Sequence, residues 1–520
     1  NSLVINMNPC ELLQWCLAIL VLLVIYIYWK TREAYNFWQS RNIPCRKPTF
    51  LVGDFADVLL GKKSLGEAAQ DTYNEFKNRG PYAGFSMMLS PRLVVMDPEA
   101  IKNVLVKDFQ NFNNHGSYHN EKDDPLSAHL FAVEGEKWRR LRVKLSPTFT
   151  SGKMKMMFET MMENVNELED YMDKAVSQNS VLEIKDILAR FTTDIIGSCA
   201  LGIQCNTLKD TNAEFREIGR RIITNKFYTA IKRSFTTSYR NLARKLKFKI
   251  VDPKVSKFFL NTIEKTIKYR ETNNVQRNDF LQLLMQLKNK GCLDENEEGQ
   301  DVDDKTALTL NEIAAQAFVF FIGGFETSSS TMSFCLYELA LNPDIQNKCR
   351  NEINKTLEQN NGKLTYDCAL QMAYLDRVIY ETMRKYPTIP MLPRMCSKDY
   401  ILPETKTLIP KGTGVIIPVR GLHHDPNIYP EPQKFDPNRF TEEAKKTRHH
   451  FTYLPFGEGP RICIGIRFGM MQTRLGLISI IKNYNIMKSD KTSVPLKIDS
   501  RAFLTSSVGG IILKFERLGK

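Results

Sequence analysis

The sequence predicts an α-rich α+β fold, and two observations support this. The middle of the chain is mostly helical in pattern, and its longest helix can be delimited: Thr309 and Glu312 form a plausible capping box, and Pro343 stops the pattern about thirty residues later. Short alternating runs, Leu93–Met96 and Gly414–Val419, are typical of strands bordered by Pro and Gly. A chain of 520 residues, 42% hydrophobic and 25% charged, can bury a large core.

Composition excludes several classes of protein. The formal net charge of +14 would suit a nucleic-acid binder, but no zinc-finger, helix-turn-helix or RNA-binding signature accompanies it, so we expect no nucleic-acid partner. The eleven cysteines are scattered and never spaced C-x-x-C, which indicates neither a disulfide framework nor a zinc ribbon. The excess basic charge is expected on a solvated surface, with a share facing anionic lipid or an acidic partner.

The N-terminus contains Leu12–Trp29, an uncharged apolar run of eighteen residues that could cross most of a bilayer. A cleaved signal peptide is the alternative, but the run lacks a basic region before it and small residues after it. Basic residues follow the run, whereas Glu11 precedes it, so the positive-inside rule leaves the body of the protein in the cytoplasm. We expect an uncleaved membrane anchor at residues 1–29 and a basic, proline-containing linker at residues 30–50.

The long helix contains two adjacent glycines, Gly323 and Gly324, each costing about 1 kcal/mol relative to alanine. Glycines could let a flat ligand lie against the helix, while the following Glu326 and Thr327 could relay protons. The alternative is structural, with the threonine hydroxyl bonding back to the preceding turn at a glycine kink.

The run PFGEGPRICIGIRFG, from Pro455 to Gly469, carries the strongest signal. Its glycines let the backbone turn sharply and approach a flat ligand, and Arg461 places a positive charge two residues from Cys463. A helical stripe that begins at Phe468 puts Cys463 near a helix N-terminus, which favours the thiolate and therefore a metal. For Cys463 alone, the alternative is a buried apolar side chain.

This run resembles the haem-binding loop of the cytochrome P450 family at Phe456, Gly459, Arg461, Cys463 and Gly465. GGFETS resembles the oxygen-activation motif of that family. The resemblance extends from about residue 30 to the end. It implies a cytochrome P450 fold with a long central helix and a small β region, residues 51–520 forming a single haem-thiolate catalytic domain. It also implies haem b, with Cys463 as the axial iron ligand.

The same resemblance assigns roles on the long helix and behind the haem. Thr327 would hydrogen-bond at the oxygen site, Glu326 would feed protons from solvent, and Gly323 would lie against the haem. Glu381 and Arg384 alone would be a common surface ion pair worth a few tenths of a kcal/mol. In the family such a pair is buried and joined by a later arginine, here Arg439.

Haem carries two propionates, which call for cationic or polar donors along one edge. The resemblance assigns this role to Trp138 and Arg142 of a W-x-x-x-R helix, to Arg394 and to Arg461. Each of the three arginines could instead be an ordinary surface arginine. The neighbouring Arg139, Arg140 and Lys144 would help to dock an electron donor.

An apolar substrate pocket is expected from residues placed by position, with ordinary core packing as the alternative for each of them. The expected lining residues are His129, Leu130, Phe131, Phe318, Phe321, Ile322, Ile389, Met391, Leu392, Phe503 and Leu504.

No dinucleotide or flavin fingerprint is present, so electrons would come from another protein. The resemblance implies NADPH-cytochrome P450 reductase, with cytochrome b5 as a second donor, and a location on the cytoplasmic face of the endoplasmic reticulum membrane. Lys226–Lys257 mixes aromatic and basic residues as a membrane-dipping segment would, or as a basic surface helix with core-facing aromatics.

The activity implied is monooxygenation of lipophilic small molecules with O2 and NADPH-derived electrons. Pro125–Arg140 is similar to the insect branch associated with xenobiotic metabolism, whose substrates would include plant toxins and insecticides; endogenous lipids or hormones are the other substrate class. Two alternatives remain: a haem-thiolate isomerase or dehydratase that rearranges peroxides without O2, and a non-catalytic haem carrier or sensor.

Overall fold

The computed structural model describes residues 8–210, 213–223, 232, 235–289 and 307–519. Helices dominate this part of the chain. In chain order the α-helices are α1 (Pro9–Gln39), α2 (Ala56–Leu59), α3 (Leu65–Phe76), α4 (Pro98–Lys102), α5 (Gly135–Leu145), α6 (Ser151–Gln178), α7 (Ile184–Ile196), α8 (Glu214–Ile223), α9 (Arg240–Lys245), α10 (Pro253–Asn273), α11 (Phe280–Asn289), α12 (Leu310–Leu341), α13 (Pro343–Gln359), α14 (Tyr366–Leu370), α15 (Ala373–Lys385), α16 (Val419–His423), α17 (Glu442–Lys446) and α18 (Ile466–Ile481).

Short strands form small sheets beside the helices. They are β1 (Tyr82–Met87), β2 (Ser90–Val95), β3 (Val181–Glu183), β4 (Leu392–Met395), β5 (Tyr400–Ile401), β6 (Leu408–Ile409), β7 (Gly414–Ile417), β8 (Tyr484–Met487) and β9 (Ile512–Arg517). The largest sheet has the order β1-β2-β7-β4, with β2 and β7 parallel and the other pairs antiparallel. The other sheets are β3-β9-β8 and β5-β6. The α-rich α+β prediction is confirmed.

The two predicted strands are present, with different ends. Leu93–Met96 corresponds to the second half of β2, which ends at Val95. The predicted strand Gly414–Val419 is too long, since β7 ends at Ile417. Pro418 has no N–H to donate to the ladder, and Val419 already begins α16.

The long helix α12 begins where the sequence predicts. Thr309 Oγ1 accepts a hydrogen bond from the Glu312 N–H at 3.2 Å, and Glu312 Oε2 accepts one from the Thr309 N–H at 3.0 Å. The helix runs for 32 residues, about 48 Å at 1.5 Å per residue, and most of its side chains are buried. It packs against α7 and α18, so it forms the centre of the helical core.

The N-terminal helix α1 is longer than the predicted anchor. Its apolar window has a mean hydropathy of 2.3 and is entirely unburied, so α1 is long and apolar enough to cross a membrane by length and composition. The helix continues to Gln39, and Trp38 is buried against Gly84 of β1. The predicted boundary at residue 29 therefore falls inside a helix, and the first part of the predicted linker is helical and docked on the sheet.

The predicted membrane-dipping segment Lys226–Lys257 is described only in part, since residues 226–231 and 233–234 lie outside the described residues. In the remainder, the Phe235 ring packs 5.5 Å from Tyr239 and 5.4 Å from Phe248, centroid to centroid. Tyr239 and Leu242 are exposed.

Candidate active site

A cavity of about 310 Å³ lies where α12 meets the cysteine loop at residues 455–465 and strand β4. One helical stripe of α12 lines it, with the spacing expected for a single helix face. The stripe consists of Val319, Phe320, Gly323, Gly324, Thr327, Ser328 and Thr331. Cys463, Arg394 and the end of α15 line the same cavity, so motifs that are distant in sequence meet here.

The cysteine loop depends on glycines with positive φ. Gly457 and Gly459 have φ of 71° and 75°. A Cβ on Gly459 would lie 2.0 Å from the Leu105 carbonyl oxygen, so no other residue fits there. Gly465 lies in the turn that leads into α18, as its N-cap, with φ of −95°, a value that does not require glycine. It does line the cavity.

The Cys463 side chain is exposed to the cavity, and its backbone N–H donates to the Phe456 carbonyl at 3.0 Å. Burial raises the pKa of the Cys463 thiol, and the Gly465 N–H and Arg142 oppose that shift only in part. The N-terminus of α18 and Arg142 thus favour the thiolate, as the sequence predicts, but desolvation outweighs them in the protein alone. A coordinating metal would deprotonate the thiol outright.

The two glycines of α12 serve different contacts. A Cβ on Gly323 would meet no atom within 4 Å, so Gly323 presents open backbone to the cavity. A Cβ on Gly324 would lie 2.6 Å from Cδ1 of Ile196, so Gly324 is required for the packing of α12 on α7. Only Gly323 thus offers the open helix backbone against which a flat ligand could lie.

Thr327 and Glu326 point in different directions. The Thr327 side chain lines the cavity, and its hydroxyl donates to the Gly323 carbonyl at 2.5 Å, which is the back-bonding alternative considered above. Glu326 is buried, is not among the cavity-lining residues, and pairs with Lys185 at 3.1 Å. Among the residues that the structure describes, no hydrogen bond joins the Glu326 carboxylate to a side chain that lines the cavity. The sequence pattern gave no indication of Lys185.

The arginines predicted to bind propionates lie along the cavity together with Trp138. Arg394 is buried, its Nε has no hydrogen-bond partner among the described residues, and burial lowers its pKa to about 10. The Arg461 guanidinium lies 4.1 Å from the centroid of Trp138 and donates to the carbonyls of Asn113 and Val133. Burial, reinforced by Arg394, lowers the Arg461 pKa to about 9. The charges of these arginines are poorly solvated, which favours an anion beside them.

His115 also lines the cavity, and no motif in the sequence predicts it. Its Nδ1 lies 2.9 Å from the Phe131 carbonyl oxygen, so this nitrogen carries a proton and donates. Burial and the nearby Arg394 and Arg461 lower the His115 pKa well below its usual value, which keeps the ring neutral. A lone histidine in a loop gives no sequence signal for this position.

The predicted charge network is brought together. Glu381 and Arg384 are fully buried on α15, and two hydrogen bonds of 2.7 and 2.8 Å join them. Arg439 Nε lies 3.5 Å from Glu381 Oε1. Burial raises the pKa of Glu381, and Arg384 opposes that shift. Arg384 also donates to the carbonyls of His423 and Pro432, so the pair fixes the segment that precedes the cysteine loop.

The predicted substrate pocket is placed only in part. Leu130, Phe131, Ile389, Leu392 and Phe503 line the cavity, whereas His129, Ile322 and Leu504 are not among its lining residues.

The prediction is wrong for Phe318 and Phe321, whose rings pack at 5.2 and 5.3 Å on Phe259 in the helical core. It is also wrong for Met391, which is buried in the core of the β1-β2-β7-β4 sheet. On α12 the cavity-facing neighbours are Val319 and Phe320.

The residues present fit a haem. A cysteine sulfur and open helix backbone at Gly323 share one largely apolar cavity, in which a flat macrocycle could be held. The buried Arg394 Nε without a partner and the guanidinium groups of Arg142 and Arg461 match an edge that carries carboxylates. Cys463 would hold the iron.

Comparison with known proteins agrees with the assignment of this cavity to a haem. The model of the cytochrome P450 family matches residues 44–514. The chain is 45% identical over 491 residues to probable cytochrome P450 6a14 of Drosophila melanogaster, covering 94% of this chain and 96% of that protein. It is 43% identical over 512 residues to cytochrome P450 6A1 of Musca domestica, covering 98% of each. The family implies haem with a thiolate ligand. A match of this extent shows that the chain belongs to the cytochrome P450 family and is a cytochrome P450 monooxygenase.

Proposed function

We propose that this monooxygenase inserts one atom of O2 into lipophilic small molecules, using electrons from NADPH. The observation that carries the proposal is the shared cavity of Cys463 and Thr327, which is lined elsewhere mostly by apolar and aromatic side chains. Such a cavity binds apolar ligands with little selectivity for polar groups. The similarity to insect relatives favours xenobiotics such as plant toxins or insecticides, with endogenous lipids or hormones as the other substrate class.

Different side chains would bind the haem and the substrate. Cys463 would ligate the haem iron, while Arg142, Arg394 and Arg461 would bind its propionates. Haem supplies the activation of O2 when it is bound. Leu130, Phe131, Ile389, Leu392 and Phe503 would bind and desolvate the substrate.

Proton delivery would depend on Thr327. Its hydroxyl proton is held by the Gly323 carbonyl, so its oxygen is free to accept a hydrogen bond from the cavity side. Glu326 would have to exchange its pair with Lys185 before it could pass a proton toward Thr327.

The electrons would come from NADPH-cytochrome P450 reductase, with cytochrome b5 as a second donor. Arg139 and Arg140 are exposed on α5, on the helix that also carries Arg142, and would help to dock an acidic partner. Helix α1 would anchor the protein in the endoplasmic reticulum membrane, with the catalytic domain on the cytoplasmic face.

The proposal is tested by reconstituting the full chain with the reductase in lipid and measuring NADPH consumption, O2 consumption and product. Thr327→Ala should keep NADPH oxidation but divert it to hydrogen peroxide, whereas Thr327→Ser keeps the hydroxyl and should stay coupled. Product formed without NADPH and O2 would point to an isomerase. Full coupling in Thr327→Ala would contradict the role of the hydroxyl.

A further inference from the structure

A second cavity, of about 620 Å³, lies where α1 meets the largest sheet. Phe37 of α1, the start of β2, residues 237–242, Met395 and the turn at residues 410–413 line it. It shares no lining residue with the cavity around Cys463. It is therefore a separate site, and the proposed monooxygenase chemistry does not use it.

Arg92 of β2 lines this second cavity and is 9% exposed. Its Nε is buried without a hydrogen-bond partner, and the described residues give its guanidinium no carboxylate partner. Gly414 on the neighbouring strand β7 makes room for this side chain, because a Cβ at Gly414 would overlap Arg92 Nη1. A buried, unpaired guanidinium is costly unless an anion compensates it.

The rest of the lining has an excess of positive charge. Arg240 also lines the cavity. Its Nη1 lies 2.5 Å from Glu134 Oε1, and this ion pair neutralises its charge. Lys411 is exposed on the lining turn and forms no ion pair with the residues that the structure describes. Burial and the nearby Arg240 lower the pKa of Arg92 to about 10. Two cations, Arg92 and Lys411, are thus left to bind an anion.

The surroundings of the cavity suit a lipid better than a soluble anion. Phe37 is the third residue from the C-terminal end of α1, and it lies about 12 Å along the helix beyond Trp29, where the apolar run ends. Tyr239 and Leu242, each 47% exposed, line the same cavity and offer apolar surface beside the cations. A headgroup could reach Arg92 while the acyl chains stay next to α1.

We propose that this cavity binds the phosphate-bearing headgroup of an anionic membrane lipid, with Arg92 and Lys411 holding the phosphate. Charge-assisted hydrogen bonds from a guanidinium to a phosphate are strong and geometrically specific. The inference rests on the proposed anchoring by α1, because that helix places the cavity at the membrane surface. It does not depend on catalysis.

The test uses the full chain in detergent micelles and measures binding of a fluorescent short-chain phosphatidylserine. Arg92→Gln and Lys411→Gln should each weaken binding by about tenfold, the effect of losing one charge-assisted contact. Lys348→Gln is the matched control, since it removes one exposed charge on α13, and it should bind like the native protein. Short-chain phosphatidylcholine should bind more weakly, because its headgroup has no net charge.

Two outcomes would overturn the proposal. Unchanged phosphatidylserine binding in both Arg92→Gln and Lys411→Gln would show that the cavity does not hold the headgroup. Competition by inorganic phosphate as effective as that of the lipid would assign the site to a soluble anion. If Arg92→Gln fails to fold, Lys411→Gln decides, because that side chain is exposed. Binding does not require turnover, so its loss is distinguishable from failure of the monooxygenase proposal.

Discussion

Lys185 Nζ lies 3.1 Å from Glu326 Oε1, and this contact joins the first turn of α7 to the middle of α12. Both side chains are largely buried, at 17% and 3% exposure. Lys185 also donates to Ser506 Oγ at 2.6 Å, so it is held from two sides. The pair fixes the Glu326 carboxylate in the protein interior, away from the cavity that Thr327 lines.

Lys185→Met should destabilise the protein by about 3 kcal/mol, because it leaves a buried carboxylate unpaired. The double variant Lys185→Met with Glu326→Gln should recover most of that loss, since the remaining amide carries no charge. Urea unfolding of the two single variants and the double variant measures the coupling energy. A coupling energy near zero would show that the ion pair is not formed.

Gly324→Ala should destabilise the protein by about 1 to 3 kcal/mol, because the new methyl group would overlap Ile196. Thermal unfolding measures the loss, and adding Ile196→Ala should restore part of it. Gly323→Ala is the matched control on the same turn: its methyl group meets no protein atom, so it should raise helix stability by about 1 kcal/mol while weakening ligand binding in the cavity. Equal effects of the two alanines on stability would contradict this distinction.

Arg384→Met should cost about 3 to 5 kcal/mol, because it strands the buried Glu381 carboxylate and removes donors to the His423 and Pro432 carbonyls. We expect low haem content in the purified variant as well, since that segment leads into the cysteine loop. Arg377→Met, on the same helix, is the control for loss of an arginine and should change the free energy of unfolding by less than about 1 kcal/mol. Denaturant unfolding and haem content measure both effects, and native-like values for Arg384→Met would rule out the structural role.

The start and end of α12 are predictable from sequence because their signals are local. Thr309 and Glu312 bond within one turn, and Pro343 interrupts the helix. The face of α12 that lines the cavity is not predictable in the same way. Residues 318–322 read FVFFI and are apolar throughout, so the pattern does not separate the cavity-facing Val319 and Phe320 from the core-facing Phe318 and Phe321.

Contacts between residues that are distant in the sequence also limit how much of the site can be predicted. The cysteine loop, the glycine pair and the E-x-x-R pair are short motifs whose residues can be read directly, and the structure brings the first two to one cavity. His115 and Lys185 belong to no recognisable motif in the sequence, and only the fold places them beside Arg394 and Glu326. The direction in which the pKa of the Cys463 thiol shifts is also not predictable from the motif, because desolvation of the thiol depends on packing that a motif does not encode.

Cys463 is expected to provide the thiolate ligand of a haem iron, and the absorption spectrum of the carbon monoxide complex of the reduced protein reports this ligand. The purified native chain should show the ferrous carbonyl spectrum of a thiolate-ligated haem, and Cys463→Ser should lose it. Cys396→Ser, a buried cysteine outside the cavity lining, should keep it. A thiolate-type spectrum that persists in Cys463→Ser would show that another residue ligates the iron.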